Sequence, residues 1–302
     1  MGALEALERT QENNFHLRNV KRVGGTSAGA ITSVLLAVGY STEQIKEFLF
    51  NLDFSNFLDG PNGAALLQLK KTFESNIFGF VSNLSKAFGN ASKIKSIIDE
   101  LKKSRGIFTG DYFREWIEEK VAAKLGKQWA TFKDLEDKRN NDNSFKELFI
   151  VGMNLTKKKS EVFSYLDTPD LIISDAVRIS MSIPLLFQPH KYYVKSSDGN
   201  SRIVKTSRSG EIFVDGGLLD NYPLWLFDNS KFIGNSMGNR TNGTCFVNYQ
   251  TLGFRLVSLQ SKIDYENSLN DNNLISETLA SEGNSEINSI ISFIKNIGTR
   301  IC

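Results

Sequence analysis

Residues 20–38 read VKRVGGTSAGAITSVLLAV, and this stretch decides the fold. The apolar and basic residues up to Val23 predict a short strand that enters a turn at Gly24-Gly25. The run from Ala28 to Val38 is apolar on nearly all sides, which predicts a helix buried against a sheet. A strand, a glycine turn and a buried helix in this order indicate an α/β protein.

The junction of that strand and helix carries a G-x-S-x-G motif, Gly25-Thr26-Ser27-Ala28-Gly29. We expect side chains at Gly25 and Gly29 to clash with the adjacent strand and helix, so both positions need glycine. The helix N-terminus directs free N–H groups at the site, and the N–H of Ala28 is a candidate oxyanion donor. The motif predicts a nucleophile at Ser27, whereas the alternative for the motif alone is a glycine-rich turn without catalysis.

A serine hydroxyl needs a base, and the chain has only two histidines, His16 and His190. Neither follows Asp215, so the Ser-Asp-His order of α/β-hydrolases cannot be built with that aspartate. His16 precedes the first strand and is expected to have a surface or packing role. His190 could pair only with another acid, of which the candidates are Asp167, Asp170 and Asp175.

Asp215 is the best candidate for the base. Residues 211–214 predict a short strand that delivers it, and ligands of open α/β sheets gather where strands end. Gly216 and Gly217 let the backbone come close to another loop. An ordinary aspartate is a poor base, so its carboxyl must be held partly out of water, which raises its basicity.

The rest of the chain shows helical and strand patterns in turn. The predicted elements are a helix over 2–8, a capping-box helix over 41–50, a helix from 111 that ends at Gly126, strands over 148–155, 161–165 and 254–259, a helix over 172–181, and a hairpin of 192–195 with 202–205. Residues 51–105 break the pattern, because six phenylalanines lie among polar residues and glycine, and we predict a helical lid insertion there. We expect one domain over 1–228 and an extension over 229–302.

Composition narrows the classes of function. With 36 Lys and Arg against 34 Asp and Glu, the net charge of +2 gives no reason to expect a nucleic-acid partner. Two cysteines make neither a disulfide framework nor a zinc site. The N-terminus does not resemble a signal peptide, and the longest apolar stretch is shorter than the roughly 20 residues of a membrane span. We expect a soluble, cytoplasmic protein that meets membranes peripherally or is exported without a signal.

Several stretches of the chain resemble the patatin-like phospholipase family. They read GTSAGA at 25–30, SDAVRISMSIP at 174–184 and VDGGLLDNYP at 214–223, with FTGD at 108–111 and TFKDL at 131–135 as further landmarks. The resemblance covers most of residues 2–226 and implies a three-layer α/β/α sandwich with a Ser-Asp dyad in place of a triad. It also implies that Ser27 forms the acyl-enzyme and that Asp215 activates first the serine and then water, without a metal or an organic cofactor.

The N-terminus departs from the family pattern. Members begin with a strand and a glycine-rich loop that supplies oxyanion N–H groups, followed by a helix whose start resembles residues 2–8. The expectation is therefore an N-terminally incomplete sandwich that lacks this strand and loop. Removing one oxyanion donor costs on the order of 10²–10³ in rate.

Three functions remain open from the sequence. The leading hypothesis is hydrolysis of phospholipid acyl esters at a lipid or membrane surface. The second is a catalytically weakened lipid-binding or interaction protein that keeps the same scaffold. The third is a Ser-His esterase that uses His190.

Overall fold

The computed structural model describes residues 4–6, 17–57, 59, 106–218, 222–228, 232, 240–241, 245–246, 248 and 250–254. Residues 4–6 are helical. The further helices are α1 (Ala28–Ala37), α2 (Thr42–Phe50), α3 (Asp111–Leu125), α4 (Phe132–Arg139) and α5 (Ile173–Ser180). The strands are β1 (Arg22–Thr26), β2 (Gly106–Phe108), β3 (Glu147–Asn154), β4 (Lys159–Phe163), β5 (Leu185–Phe187), β6 (Tyr193–Lys195), β7 (Arg202–Val204), β8 (Phe213–Asp215), β9 (Arg240–Thr241) and β10 (Cys245–Phe246).

The domain predictions are only partly covered by these residues. Most of the predicted lid insertion over 51–105 and of the predicted strand over 254–259 lies outside them. By internal contacts the chain divides into two units, Met1–Leu252 and Gly253–Cys302. The predicted boundary at residue 228 stays a prediction. In the described part of the chain, every helix falls short of the length and apolar character that crossing a membrane requires.

A four-stranded mixed sheet positions the site. β1 runs parallel to β3, with Thr26 opposite Val151, and β4 runs antiparallel along the other side of β3. β8 also pairs with β3 in antiparallel fashion, with Asp215 opposite Gly152. Gly152 already has β4 on one side, so β8 must lie on the side of β1. The C-terminal ends of β1 and β8 therefore point at each other beside β3.

The two faces of β3 separate two clusters of buried side chains. Leu148 and Ile150 belong to the main core, which also contains apolar residues of α1, α3 and α5. Phe149 and Val151 point the other way and pack with Leu226. On that second face, the described residues contribute the 3-10 turn Leu224–Phe227 and Phe232 but no α-helix. The α/β class is confirmed, and the three-layer sandwich without its first strand stays a prediction.

Local sequence signals match most of the element boundaries. The side chain of Ser41 accepts from the N–H of Gln44 at 3.2 Å, and Gln44 accepts in return from the N–H of Ser41, as the capping box predicts. Gly126 ends α3 with a left-handed φ of 68°. The predicted turn at Gly24-Gly25 is wrong, because both glycines pair with β3 inside β1 and the chain turns only at Ser27.

Candidate active site

Ser27 forms the turn between β1 and α1. Its φ of 54° and ψ of −124° lie in a region that residues other than glycine rarely adopt. Such strain persists only where the surrounding structure imposes it. Here Thr26 is paired with Val151 and Ala28 already begins α1, so the chain must reverse within one residue. This is the geometry of a nucleophile elbow, which presents the serine hydroxyl at the end of the sheet.

The two glycines of the motif differ in what they allow. A Cβ at Gly25 would lie 2.3 Å from the carbonyl carbon and oxygen of Gly29, so only glycine permits α1 to start this close to β1. A Cβ at Gly29 would meet no atom of the described residues within 4 Å. The predicted clash is thus correct for Gly25 and wrong for Gly29, because it is the backbone of Gly29 that approaches the strand.

Asp215 ends β8 and is buried, with 4% of its surface exposed. The N–H of Gly217 donates to Oδ1 at 2.6 Å, while Oδ2 is buried without a hydrogen-bond partner in the described part of the chain. A Cβ at Gly216 would lie 2.6 Å from the carbonyl oxygen of Val151, so this glycine seats the loop against β3. Burial raises the pKa of the Asp215 carboxyl to about 6, against the opposing effect of the Ser27 hydroxyl and the Gly217 N–H.

The structure brings Ser27 and Asp215 together at the point where β1 and β8 meet. The Ser27 hydroxyl is near enough to the Asp215 carboxyl to lower its pKa. No hydrogen bond of normal geometry joins the two side chains, however, and Ser27 Oγ instead donates to Met181 Sδ at 3.6 Å. In this conformation the Ser27 hydroxyl is bonded to Met181, and Oδ2 of Asp215 has no hydrogen-bond partner in the described part of the chain.

The end of α5 and the residues after it hold Ser27 and Asp215 in place. The N–H of Ser27 donates to Ser180 Oγ at 2.9 Å, and Ser180 Oγ donates to the carbonyl of Val151 at 2.6 Å. Two residues on, the carbonyl of Ser182 accepts from the N–H of Asp215 at 3.0 Å. Sequence reasoning did not assign Ser180, Met181 or Ser182 to the site. The available signal was their position in the stretch SDAVRISMSIP.

Arg178 fastens this segment to its surroundings. Its buried guanidinium donates to the carbonyl oxygens of Thr109 and Gln188 and, at 2.6 Å, to Ser182 Oγ. Gly110, with a φ of 69°, lies so close that a Cβ there would be 2.3 Å from Arg178 Nε. Burial lowers the pKa of Arg178 to about 10, so the side chain stays charged at neutral pH. The landmark FTGD is thereby tied to the stretch that carries Ser180.

The first turn of α1 offers donors beside Ser27. Ala28 and Gly29 are exposed, and among the described residues their N–H groups have no acceptor. The N–H of Ala30 is the first to bond back, to the carbonyl of Ser27 at 2.8 Å. Free N–H groups at the positive end of a helix stabilise a nearby anion. The predicted donor Ala28 is thus placed at the elbow with its N–H available.

His190 has partners other than the Ser27 and Asp215 pair. His16 is outside the described residues. His190 Nε2 bonds to the fully buried Asp175 at 2.7 Å, and Arg202 binds the same carboxylate oxygen at 2.7 Å. Burial lowers the pKa of His190, and Asp175 opposes this effect. Within the described ranges no contact joins His190 to Ser27, and no three His, Cys, Asp or Glu residues form a cluster that could hold a metal ion.

Comparisons with known proteins agree with the stretches quoted above. A family model described as Patatin-like phospholipase matches residues 1–228. The uncharacterised protein R571 of Acanthamoeba polyphaga mimivirus is 26% identical over 236 residues, which cover 78% of this chain and 60% of that protein. A probable lipid hydrolase, 463L of Invertebrate iridescent virus 6, is 23% identical over 224 residues, which cover 74% and 57%. The chain thus spans about three fifths of the length of these curated relatives.

Two solved structures are also similar to this chain. VipD from Legionella pneumophila matches with a TM-score of 0.42 and 26% identity, covering 73% of this chain and 44% of that chain. ExoU from Pseudomonas aeruginosa, solved in complex with SpcU, matches with a TM-score of 0.37 and 23% identity, covering 61% and 35%.

Proposed function

Because the chain belongs to the patatin-like phospholipase family, a family of carboxylic ester hydrolases, we propose that it is a serine lipid acyl hydrolase that cleaves phospholipid acyl esters through Ser27 and Asp215. The observation that carries the proposal is a buried carboxyl with a pKa of about 6 and one oxygen without a hydrogen-bond partner among the described residues, near a strained serine on a nucleophile elbow. The name of the relative 463L, a probable lipid hydrolase, supports the substrate class.

The first half of the reaction forms an acyl-enzyme. The Ser27 hydroxyl turns from Met181 to Oδ2 of Asp215 and gives up its proton to that carboxylate as Oγ attacks the ester carbonyl carbon. The N–H groups at the start of α1 stabilise the negative charge on the carbonyl oxygen. When the C–O bond of the ester breaks, protonated Asp215 returns the proton to the alcohol oxygen of the leaving lysolipid.

The second half releases the fatty acid. Asp215, again ionised, takes a proton from a water molecule as the water oxygen attacks the acyl carbon on Ser27. The bond to Ser27 Oγ then breaks, and the proton returns to Oγ. A pKa of about 6 suits both halves, because a base works best when its pKa lies near the working pH. An ordinary aspartate would be mostly ionised but too weak a base.

Labelling and turnover test the proposal together. The probes are a fluorophosphonate, which reacts with activated serines, and vesicles of phosphatidylcholine with phosphatidylglycerol, from which fatty acid release is measured. We expect labelling and release by the unmodified chain and neither by Ser27→Ala. Ser33→Ala is the matched control, since Ser33 is a buried serine of the helix that follows Ser27. Asp215→Asn should lower kcat on the order of 10³- to 10⁴-fold, whereas Asp175→Asn, at another buried aspartate, should not.

The alternatives predict other outcomes. A lipid-binding protein without catalysis would sediment with the vesicles but neither react with the probe nor release fatty acid. A Ser-His esterase would lose activity in His190→Ala and keep it in Asp215→Asn. Either result would overturn the assignment of Ser27 and Asp215 as a catalytic pair.

A further inference from the structure

We propose that Ser180 is a positioning residue for the nucleophile, which holds the backbone of Ser27 in its strained conformation and thereby keeps its hydroxyl near the Asp215 carboxyl. The inference rests on the proposed function and extends it to a side chain that neither touches substrate nor belongs to the reacting pair. It assigns a task to the last residue of α5, 153 positions away from Ser27 in the sequence.

The hydroxyl of Ser180 uses both of its hydrogen-bonding capacities at this one place. It is completely buried, accepts from the N–H of Ser27 at 2.9 Å and donates to the carbonyl of Val151 at 2.6 Å. A serine hydroxyl has one proton to donate. Because that proton is donated to Val151, Oγ can only accept from the N–H of Ser27. The direction of both hydrogen bonds in the bridge is therefore fixed.

Val151 is the residue of the sheet that stands between the two strand ends. It lies opposite Thr26, the last residue of β1, and its neighbour Gly152 lies opposite Asp215. The bridge through Ser180 therefore ties Ser27 to the part of β3 that carries Asp215 on the same side. Ser182 in turn accepts from the N–H of Asp215, so two positions of one short segment hold both partners.

Backbone strain makes this bridge necessary. At φ 54° and ψ −124° the amide of Ser27 belongs neither to the ladder of β1 nor to the hydrogen bonds of α1. Without an acceptor for that N–H, only the pairing of Thr26 and the start of α1 hold the turn, which can then shift towards a more common conformation. Such a relaxation moves Oγ relative to Asp215, and a misplacement of about 1 Å costs on the order of 100-fold in rate.

Ser174 provides a matched control on the same helix. It is also completely buried, and its Oγ donates to Glu118 Oε2 at 2.7 Å, on the side of α5 that faces α3. Ser174→Ala and Ser180→Ala each remove one buried hydroxyl and its hydrogen bonds from α5. A role in folding alone predicts similar losses of stability and similar, small effects on turnover in the two variants.

The experiment compares these variants with Ser180→Thr, which keeps the hydroxyl. In vesicle hydrolysis we expect Ser180→Ala to lower kcat on the order of 10- to 100-fold with KM within about twofold, the mark of misplaced catalytic groups. Ser174→Ala should keep kcat, and Ser180→Thr should recover most of it. The acid limb of the pH profile should move to higher pH in Ser180→Ala, because a displaced Ser27 hydroxyl no longer lowers the pKa of Asp215.

Hydrogen exchange of the Ser27 amide tests the bridge without any turnover. We expect the amide to be protected in the unmodified chain and in Ser174→Ala, and to exchange about 2- to 13-fold faster in Ser180→Ala, which is the factor that corresponds to one lost hydrogen bond. Equal exchange in all three proteins, or equal kcat in the two alanine variants, would overturn the role of Ser180. Activity that survives in Ser27→Ala would instead overturn the proposed function, while the exchange measurement still decides the bridge.

Discussion

Replacing Asp215 by asparagine should make the protein more stable above pH 6 while removing its base. Asparagine has nearly the shape of aspartate and keeps a carbonyl oxygen for the N–H of Gly217, which now bonds to Oδ1 at 2.6 Å. The amide nitrogen replaces Oδ2, the oxygen that is buried without a hydrogen-bond partner among the described residues. The substitution thus removes a charge that the native fold holds out of water.

The sign and size of the effect follow from the pKa of Asp215. Burial raises this pKa from its ordinary 3.8 to about 6 in the folded protein. A carboxyl whose pKa is higher in the folded than in the unfolded protein makes its full contribution to stability below the unfolded-state pKa. That contribution is lost as the pH rises through the folded-state pKa. The difference corresponds to about 3 kcal/mol of unfolding free energy, lost between about pH 4 and pH 6. The Asp215→Asn variant carries no such cost, so its advantage is small near pH 4, grows between pH 4 and pH 6, and reaches its full size above about pH 6.

Urea unfolding followed by tryptophan fluorescence at pH 4, 6 and 8 measures this difference. We expect the free energy of unfolding of Asp215→Asn to exceed that of the unmodified chain at pH 8 by up to about 3 kcal/mol, and to match it closely at pH 4. Asp198→Asn is the control with the opposite sign. Hydrogen bonds from Ser196 and the N–H of Asn200 lower the pKa of this exposed aspartate, so its removal should not stabilise the protein at pH 8.

Two results would refute this account of Asp215. One is a stability difference between the variant and the unmodified chain that stays the same at all three pH values, since a buried charge must act through its titration. The other is a loss of stability at pH 8, which would mean that the carboxylate is well stabilised in the native site. Either would remove the physical basis for treating Asp215 as a base with a raised pKa.

Three further predictions concern the same site. The value of kcat/KM should be half-maximal near about pH 6 and fall about tenfold for each pH unit below it, because Asp215 must be ionised; a profile flat down to pH 4 would contradict this. Gly25→Ala should unfold or inactivate the protein, since its Cβ would lie 2.3 Å from the backbone of Gly29, whereas Gly29→Ala should fold; circular dichroism and fluorophosphonate labelling compare them. Peroxide should slow labelling of Ser27, because a sulfoxide at Met181 accepts a stronger hydrogen bond from the Ser27 hydroxyl than the thioether does and so holds the hydroxyl away from Asp215. Met181→Leu should remove that sensitivity to peroxide.

Local features of the structure could be predicted from the sequence because they depend on neighbouring residues. The strand, serine and helix at 20–38 are encoded by a glycine-flanked serine before an apolar run. The capping box at Ser41 and the stop at Gly126 depend on side chains and φ values within a few positions. The glycine turn was misplaced because pairing with β3 keeps Gly24 extended, and β3 lies more than a hundred residues away.

The partner of His190 shows where such reasoning ends. Three aspartates were open to it in the sequence, and the fold selects Asp175, which is completely buried and binds Arg202 through the same oxygen. Gly29 is a second case, since the sequence does not distinguish a glycine whose own Cβ would clash, such as Gly25, from one whose Cβ would meet no described atom within 4 Å. Neither choice depends on local sequence.

The sequence by itself therefore determined the elbow at Ser27 and proposed Asp215 as its partner, because a motif and a shortage of histidines are local or compositional facts. Only the tertiary structure decided how the two could meet. β8 lies antiparallel to β3 on the side of β1, so two strand ends face each other across Val151 and Gly152. The same fold placed Ser180 under the Ser27 amide and Met181 against its hydroxyl. These contacts join residues more than 150 positions apart, and only packing around a shared strand brings them into reach.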